Sequence, residues 1–132
     1  MELADRVRRA GRVFLVGNGG SSANAAHVAN DLISCGIAAF TIDSATLTAI
    51  ANDFGYEFVF SEWLQIVASK GDLLIALSGS GKSPNILNAC HMAEQIGMDV
   101  YRLFGAELGQ DMQTAENHQL VIGHELRKAL RK

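Results

Sequence analysis

Val13-Phe14-Leu15-Val16-Gly17-Asn18-Gly19-Gly20-Ser21-Ser22 joins four consecutive apolar residues to a glycine-rich turn and then to a helical pattern. The apolar run lacks the polar alternation of a half-exposed strand, so it reads as a strand buried on both faces. Glycines in the turn permit positive φ and let a ligand approach bare backbone amides, while Ser21 or Ser22 is placed to cap the helix that follows.

The same grammar repeats along the chain. Ala38–Ile42, Leu73–Leu77 and Val100–Phe104 are further short apolar runs, and helical patterns fall at 22–35, 45–52, 57–69, 84–96 and 112–130. Strands alternating with helices predict an α/β fold of three layers, a doubly wound parallel sheet of about four strands in one domain over 1–132. Right-handed crossovers then put every strand-to-helix turn on one edge of the sheet, where strand order reverses and ligands bind.

A second turn of the same kind leaves the third strand: Ser78-Gly79-Ser80-Gly81-Lys82-Ser83-Pro84. Pro84 suits the first helical position and Ser83 the cap before it. Three hydroxyls, free amides and a helix dipole then point at one spot, which makes an anion site and most simply a phosphate site. Two nucleotide readings fail. Gly81-Lys82-Ser83 imitates the end of a P-loop, yet the first glycine of that motif would fall on Ala76 inside a strand. Gly17-x-Gly19 with Asp43 as a ribose acceptor imitates a dinucleotide fingerprint, but its third glycine is Ser22 and the serine turn has no place in that scheme.

Composition sets the outer limits. The chain has 132 residues, 48% of them apolar and 19% charged, with a net charge of −3. The acidic balance argues against a direct nucleic-acid binder, which needs a basic excess. No run reaches the roughly 18–20 apolar residues of a membrane span, and no basic-then-apolar leader opens the chain. Cys35 and Cys90 lack metal spacing and are too few for a disulfide framework, so buried packing in a reducing cytoplasm is expected. The basic run Arg127, Lys128, Arg131, Lys132 complements a helix end. Phe58, Phe60 and Trp63 are expected in the core.

Taken together, the motifs resemble the sugar isomerase (SIS) domain family, and within it the sedoheptulose 7-phosphate isomerases. The matching stretches are Val16 to Ser21, Ala26-His27 with an acid four residues on, Leu47 to Tyr56, Val59 to Ser61, Gly71 to Leu73, and Ser78 to Asn85; the likeness runs over 12–104 and resumes over 111–126. It implies an aldose–ketose isomerase acting on a seven-carbon sugar phosphate through an enediol. By that likeness Asn18, Gly19 and Gly20 contact the sugar, as do Asn52 and Asp53, while Ser78, Gly79, Ser80 and Ser83 hold the phosphate. His27 and Asp31 match a metal ligand and a catalytic acid. Glu116 and His124 match the C-terminal pair that completes the site, so the implied zinc ligands are His27, Asp31, Glu116 and His124, with Glu116 also touching substrate.

The residue types agree with these roles. His27 and Asp31 are four apart and share one helix face, with Asn24 one turn earlier. Such a pair can coordinate zinc, move a proton between C1 and C2, or simply make a surface contact. Asp31 is the candidate base and His124 the candidate acid or a further ligand. Asn52-Asp53 precedes Gly55 as a plain C-cap would, and a cap can also face a pocket.

The sequence departs from the family at Asp31, usually glutamate, at Glu116, usually glutamine, and at Gly79, a hydroxyl residue in some relatives. It begins about one helix late, as a shortened paralogue or a truncated product would, and shows no fifth strand after Phe104. Glu116 and His124, eight apart, lie ~12 Å apart on a regular helix and cannot both bind one ion from it. If both act in one site, the helix is irregular near Glu116 or two chains contribute. With the missing elements and an edge strand to cover, pockets completed across a homodimer or homotetramer are expected, with an inactive phosphosugar-binding SIS module as the alternative function.

Overall fold

Four parallel strands, β1 (Val13–Val16), β2 (Ala39–Phe40), β3 (Leu73–Ser78) and β4 (Asp99–Phe104), form one sheet in the order β2-β1-β3-β4. A computed structural model describes residues 1–131 of the chain. Among the described residues six α-helices accompany the strands: α1 (Glu2–Arg9), α2 (Gly20–Ser34), α3 (Ser44–Phe54), α4 (Val59–Val67), α5 (Pro84–Ile96) and α6 (Met112–Leu130).

Each central strand splits its side chains between two cores. Val13, Leu15, Leu73, Ile75 and Leu77 point to the face covered by α1, α2 and α6. Phe14, Val16, Leu74 and Ala76 point to the opposite face, against α4 and α5. Burial on both sides is the reason these strands show no alternation in the sequence. Order reverses between β1 and β3, so the turns after these two strands open into one crevice.

Several expectations need correction. The eight-residue α1, not among the expected helices, carries five charged side chains, and Leu3, Ala4 and Val7 at helical spacing form the face that docks it on the core. The second strand shrinks to two residues, and the stretch before α4 forms a separate 3₁₀ turn at Tyr56–Phe58. Phe60 is buried and Trp63 packs edge-on against Phe14, but Phe58 is exposed. Cys90 is buried, and that burial pushes its thiol pKa up, whereas Cys35 is only half-buried. Asp43 is a helix cap: its carboxylate accepts from the Thr46 amide at 2.7 Å and is held below the ordinary aspartate range by that bond. As the sequence indicated, no fifth strand follows β4 among the described residues; Gly105–Leu108 is a single 3₁₀ turn.

Asp72, in the Gly71-Asp72-Leu73 motif, acts within the fold. It is buried and accepts bonds from the amides of Arg12 and Ser69 and from the Arg12 guanidinium, which closes the entry to β3 against the entry to β1.

Candidate active site

The serine turn condenses as its composition suggests. Ser78 Oγ, Ser80 Oγ and Ser83 Oγ form a chain with 3.5 Å between neighbours. Ser78 Oγ accepts from the Gly81 amide at 2.9 Å and Ser80 Oγ from the Lys82 amide at 3.1 Å. Gly81 takes φ +67°, which a residue with a Cβ rarely adopts. Ser83 occupies the N-cap of α5 with Pro84 behind it, but its hydroxyl makes no cap bond and stays available to a ligand. With Asn18 and Ser21 this turn lines a cleft of about 40 Å³ at the crevice between β1 and β3.

On the other side of the crevice the cap of α2 is Gly19 itself, at φ 55°. Neither Ser21 nor Ser22 caps that helix. Ser21 lies inside it and accepts from Gln119 Nε2 at 3.0 Å.

Helices α2 and α6 run side by side in parallel, and their seam carries most of the remaining candidates. The Glu116 carboxylate lies against Gly20, and a Cβ there would collide with it. Gln119 bridges Ser21 and Asn24, whose Nδ2 also donates to the Glu116 carbonyl. Further along, His27 and His124 rings meet edge to face with centroids 5.7 Å apart, and Arg127 Nη1 stands 3.6 Å from Asp31 Oδ1. The parallel run explains why residues a whole chain apart become neighbours.

His27, Asp31 and His124 bring one ligand atom each within 4.8 Å of one another. Asp31 is buried beneath two exposed imidazoles; its Oδ2 lies 3.6 Å from His27 Nε2 and has no hydrogen-bond partner. A buried, unsatisfied carboxylate oxygen is costly unless something else claims it. Two imidazoles and one carboxylate form the nitrogen and oxygen set of an open zinc site, so these residues fit the ion. Glu116 does not join them: α6 is continuous from Met112 to Leu130, and its carboxylate is at Gly20.

Asn52 and Asp53 sit exposed on the last turn of α3, bonded to each other at 3.2 Å, and line neither of the clefts that border Asn18. Two buried polar residues were not singled out as site residues: Asn85, at the crevice, and Gln119, in the α2–α6 seam behind Ser21. Asn85 stood in the quoted serine motif, but nothing local to Gln119 marks its partners on α2.

Comparison with known proteins agrees with this architecture. The SIS domain family matches residues 2–105. The chain belongs to the SIS domain family. A phosphoheptose isomerase from Burkholderia pseudomallei (strain 1710b) is 38% identical over 140 residues, covering 89% of this chain and 71% of that protein. One from Campylobacter concisus (strain 13826) is 39% identical over 130 residues, covering 92% and 68%. Among solved structures, the phosphoheptose isomerase of Neisseria gonorrhoeae superposes with TM-score 0.87 at 26% identity, over 97% of this SIS chain and 80% of its own.

Proposed function

We propose that this chain isomerises sedoheptulose 7-phosphate to the corresponding heptose 7-phosphate, with the phosphate on Ser78, Ser80 and Ser83 and the reacting carbons at His27, Asp31 and His124. The observation that carries the reading is the buried, unpaired Asp31 Oδ2 between two histidines, on the same helix whose first turn borders the phosphate cleft. From Ser21 to His27 the helix rises ~9 Å, a span suited to a ligand whose phosphate and reacting end are at opposite termini.

The chemistry follows from the groups. Asp31 takes a proton from C1 of the ketose, leaving an enediol, and the proton returns at C2 to give the aldose. His124 carries the hydroxyl proton between O2 and O1. Asn18 and the amides at Gly19 and Gly20 orient the chain of hydroxyls. A zinc ion held by His27, Asp31 and His124 would polarise the carbonyl oxygen and steady the developing oxyanion; it would take up the lone pairs that Asp31 and His124 otherwise use for the proton, so ligation and proton transfer are alternative roles for these two residues. Arg127 beside Asp31 Oδ1 leaves Oδ2 as the oxygen with free lone pairs.

The working form we infer is a cytoplasmic homodimer or homotetramer. No residue of α3 is buried, and Phe54, Tyr56 and Phe58 are exposed beside it. A second copy covering this face would place its own surface against Asn52 and Asp53 and give them a pocket to complete. Among the described residues no helix is long and apolar enough to cross a membrane. A module that only binds phosphosugar has no need of the histidine–aspartate cluster and is not favoured.

Incubating purified protein with sedoheptulose 7-phosphate, with and without added zinc, and following the aldose by chromatography tests the reading. Aldose formation above the protein-free rate is expected. A protein that stays inert under both conditions sinks it.

A further inference from the structure

Asn18, in the turn after β1, and Asn85, at the second position of α5, face each other with their carboxamides paired in both directions. Asn18 Nδ2 donates to Asn85 Oδ1 at 2.9 Å, and Asn85 Nδ2 donates to Asn18 Oδ1 at 2.9 Å. The Tyr56 hydroxyl donates to the same Asn18 Oδ1 at 2.8 Å. Asn85 is 2% exposed, so a lost partner there could not be replaced by water without opening the fold.

A carboxamide has two donor hydrogens and two acceptor lone pairs. Asn85 and Tyr56 together fill both lone pairs of Asn18 Oδ1, and Asn85 takes one of its two hydrogens. One N–H remains uncommitted. Turning the amide over would set nitrogen against nitrogen and oxygen against oxygen, and would face the Tyr56 hydroxyl with a group that cannot accept. The orientation is therefore fixed by its neighbours. Asn18 also lines two spaces at once, the serine cleft and an adjoining groove of about 250 Å³ bordered by Tyr56, Glu57, Ser83, Pro84 and Asn85.

We infer that Asn85 and Tyr56 are positioning residues that lock Asn18 as a single N–H donor toward a sugar oxygen and bind the two ligand-holding turns into one rigid unit. The inference rests on the isomerase reading above for the identity of the ligand. It does not require Asn85 or Tyr56 to touch substrate. A donor-only Asn18 favours a hydroxyl or carbonyl oxygen at that position, so a ligand lacking an oxygen there would be discriminated against.

The test is a double-mutant cycle in the full chain with Asn85→Ala, Tyr56→Phe and Asn18→Ala, read as kcat/KM and KM for sedoheptulose 7-phosphate. Inhibition by inorganic phosphate, which the serines hold, is measured alongside. Asn85→Ala should lower kcat/KM about tenfold or more and Tyr56→Phe about threefold, while the phosphate inhibition constant moves less than about twofold. In the Asn18→Ala background both substitutions should have almost no further effect, because the group they orient is gone. Equal losses with and without Asn18, or sugar and phosphate affinity falling together, would overturn the proposal.

If Asn85→Ala does not fold, Tyr56→Phe at an exposed position still decides the matter. If wild type binds sedoheptulose 7-phosphate without turning it over, the isomerase reading fails. The same cycle is then run on the dissociation constant by calorimetry, where additivity overturns the positioning role and coupling upholds it. A wild type that neither binds nor converts the sugar overturns both.

Discussion

Gly123 on α6 lies directly against the Val28 side chain on α2, with no room for a Cβ between the two helices. That contact lets His124 reach His27 and Arg127 reach Asp31 on the next turn. Alanine in place of a helical glycine normally stabilises by roughly 1 kcal/mol. Here the sign reverses: overpacking should cost Gly123→Ala about 1–3 kcal/mol, read as a melting temperature lower by roughly 4–11 °C. Metal affinity should fall with it, since the seam carries the cluster. A melting temperature above that of wild type would contradict the packing.

Asp31→Asn and His124→Ala each remove a group from the His27–Asp31–His124 cluster without disturbing the serine turn. Each should lower turnover by about 10²–10⁴ while phosphosugar binding persists, and the double variant should be little worse than either single one. Zinc titration by calorimetry gives the second readout: affinity should drop in both. Full activity in Asp31→Asn would remove that residue from the reaction.

Ser80→Ala together with Ser83→Ala strips two hydroxyls from the turn and leaves the backbone amides. Charge-assisted bonds of ~1.5–3 kcal/mol each predict a loss of about 3–6 kcal/mol in sugar phosphate binding. Calorimetry that returned an unchanged affinity would take this turn out of the site.

Asp43 and Asp111 cap α3 and α6 through the amides of Thr46 and Thr114, and those bonds hold both carboxyls below the ordinary aspartate value. A folded-state pKa lower than the unfolded one adds stability that is present above the unfolded value, near pH 4, and disappears as pH falls through the folded value. Replacing both by Asn keeps a capping oxygen and removes the titration. The variant should therefore lose less stability than wild type between about pH 5 and pH 2 in urea melts. Parallel curves for the two proteins would refute the assignment.

The sheet was legible because burial on both faces writes a continuous apolar run, and Val13–Val16 and Leu73–Leu77 were placed almost to the residue. The serine turn was legible for a similar reason: Gly81, Ser83 and Pro84 are local signals of turn and helix start. β2 was overestimated because an apolar stretch at a sheet edge does not say where pairing stops. α1 escaped because its apolar face is only Leu3, Ala4 and Val7 among five charged residues, too short a stripe to stand out although its spacing is helical. The network of Asn24, Gln119 and Ser21 had no local signature, since its partners are brought together only by the parallel packing of α2 and α6. Likeness to a family supplied the pairing of His27 with His124; helix periodicity alone showed only that Glu116 and His124 could not both bind one ion from a regular helix, and the structure places Glu116 at Gly20 instead.

The parallel seam also sets an order of events during synthesis. Asn24 and Gln119 are 95 positions apart, and the cluster draws on the same two helices. A nascent chain that has emerged only through β4 already carries the glycine turn after β1 and the serine turn after β3. It still lacks every group that α6 contributes. A ribosome-stalled series should therefore gain affinity for phosphate well before it gains affinity for zinc, with turnover arriving last.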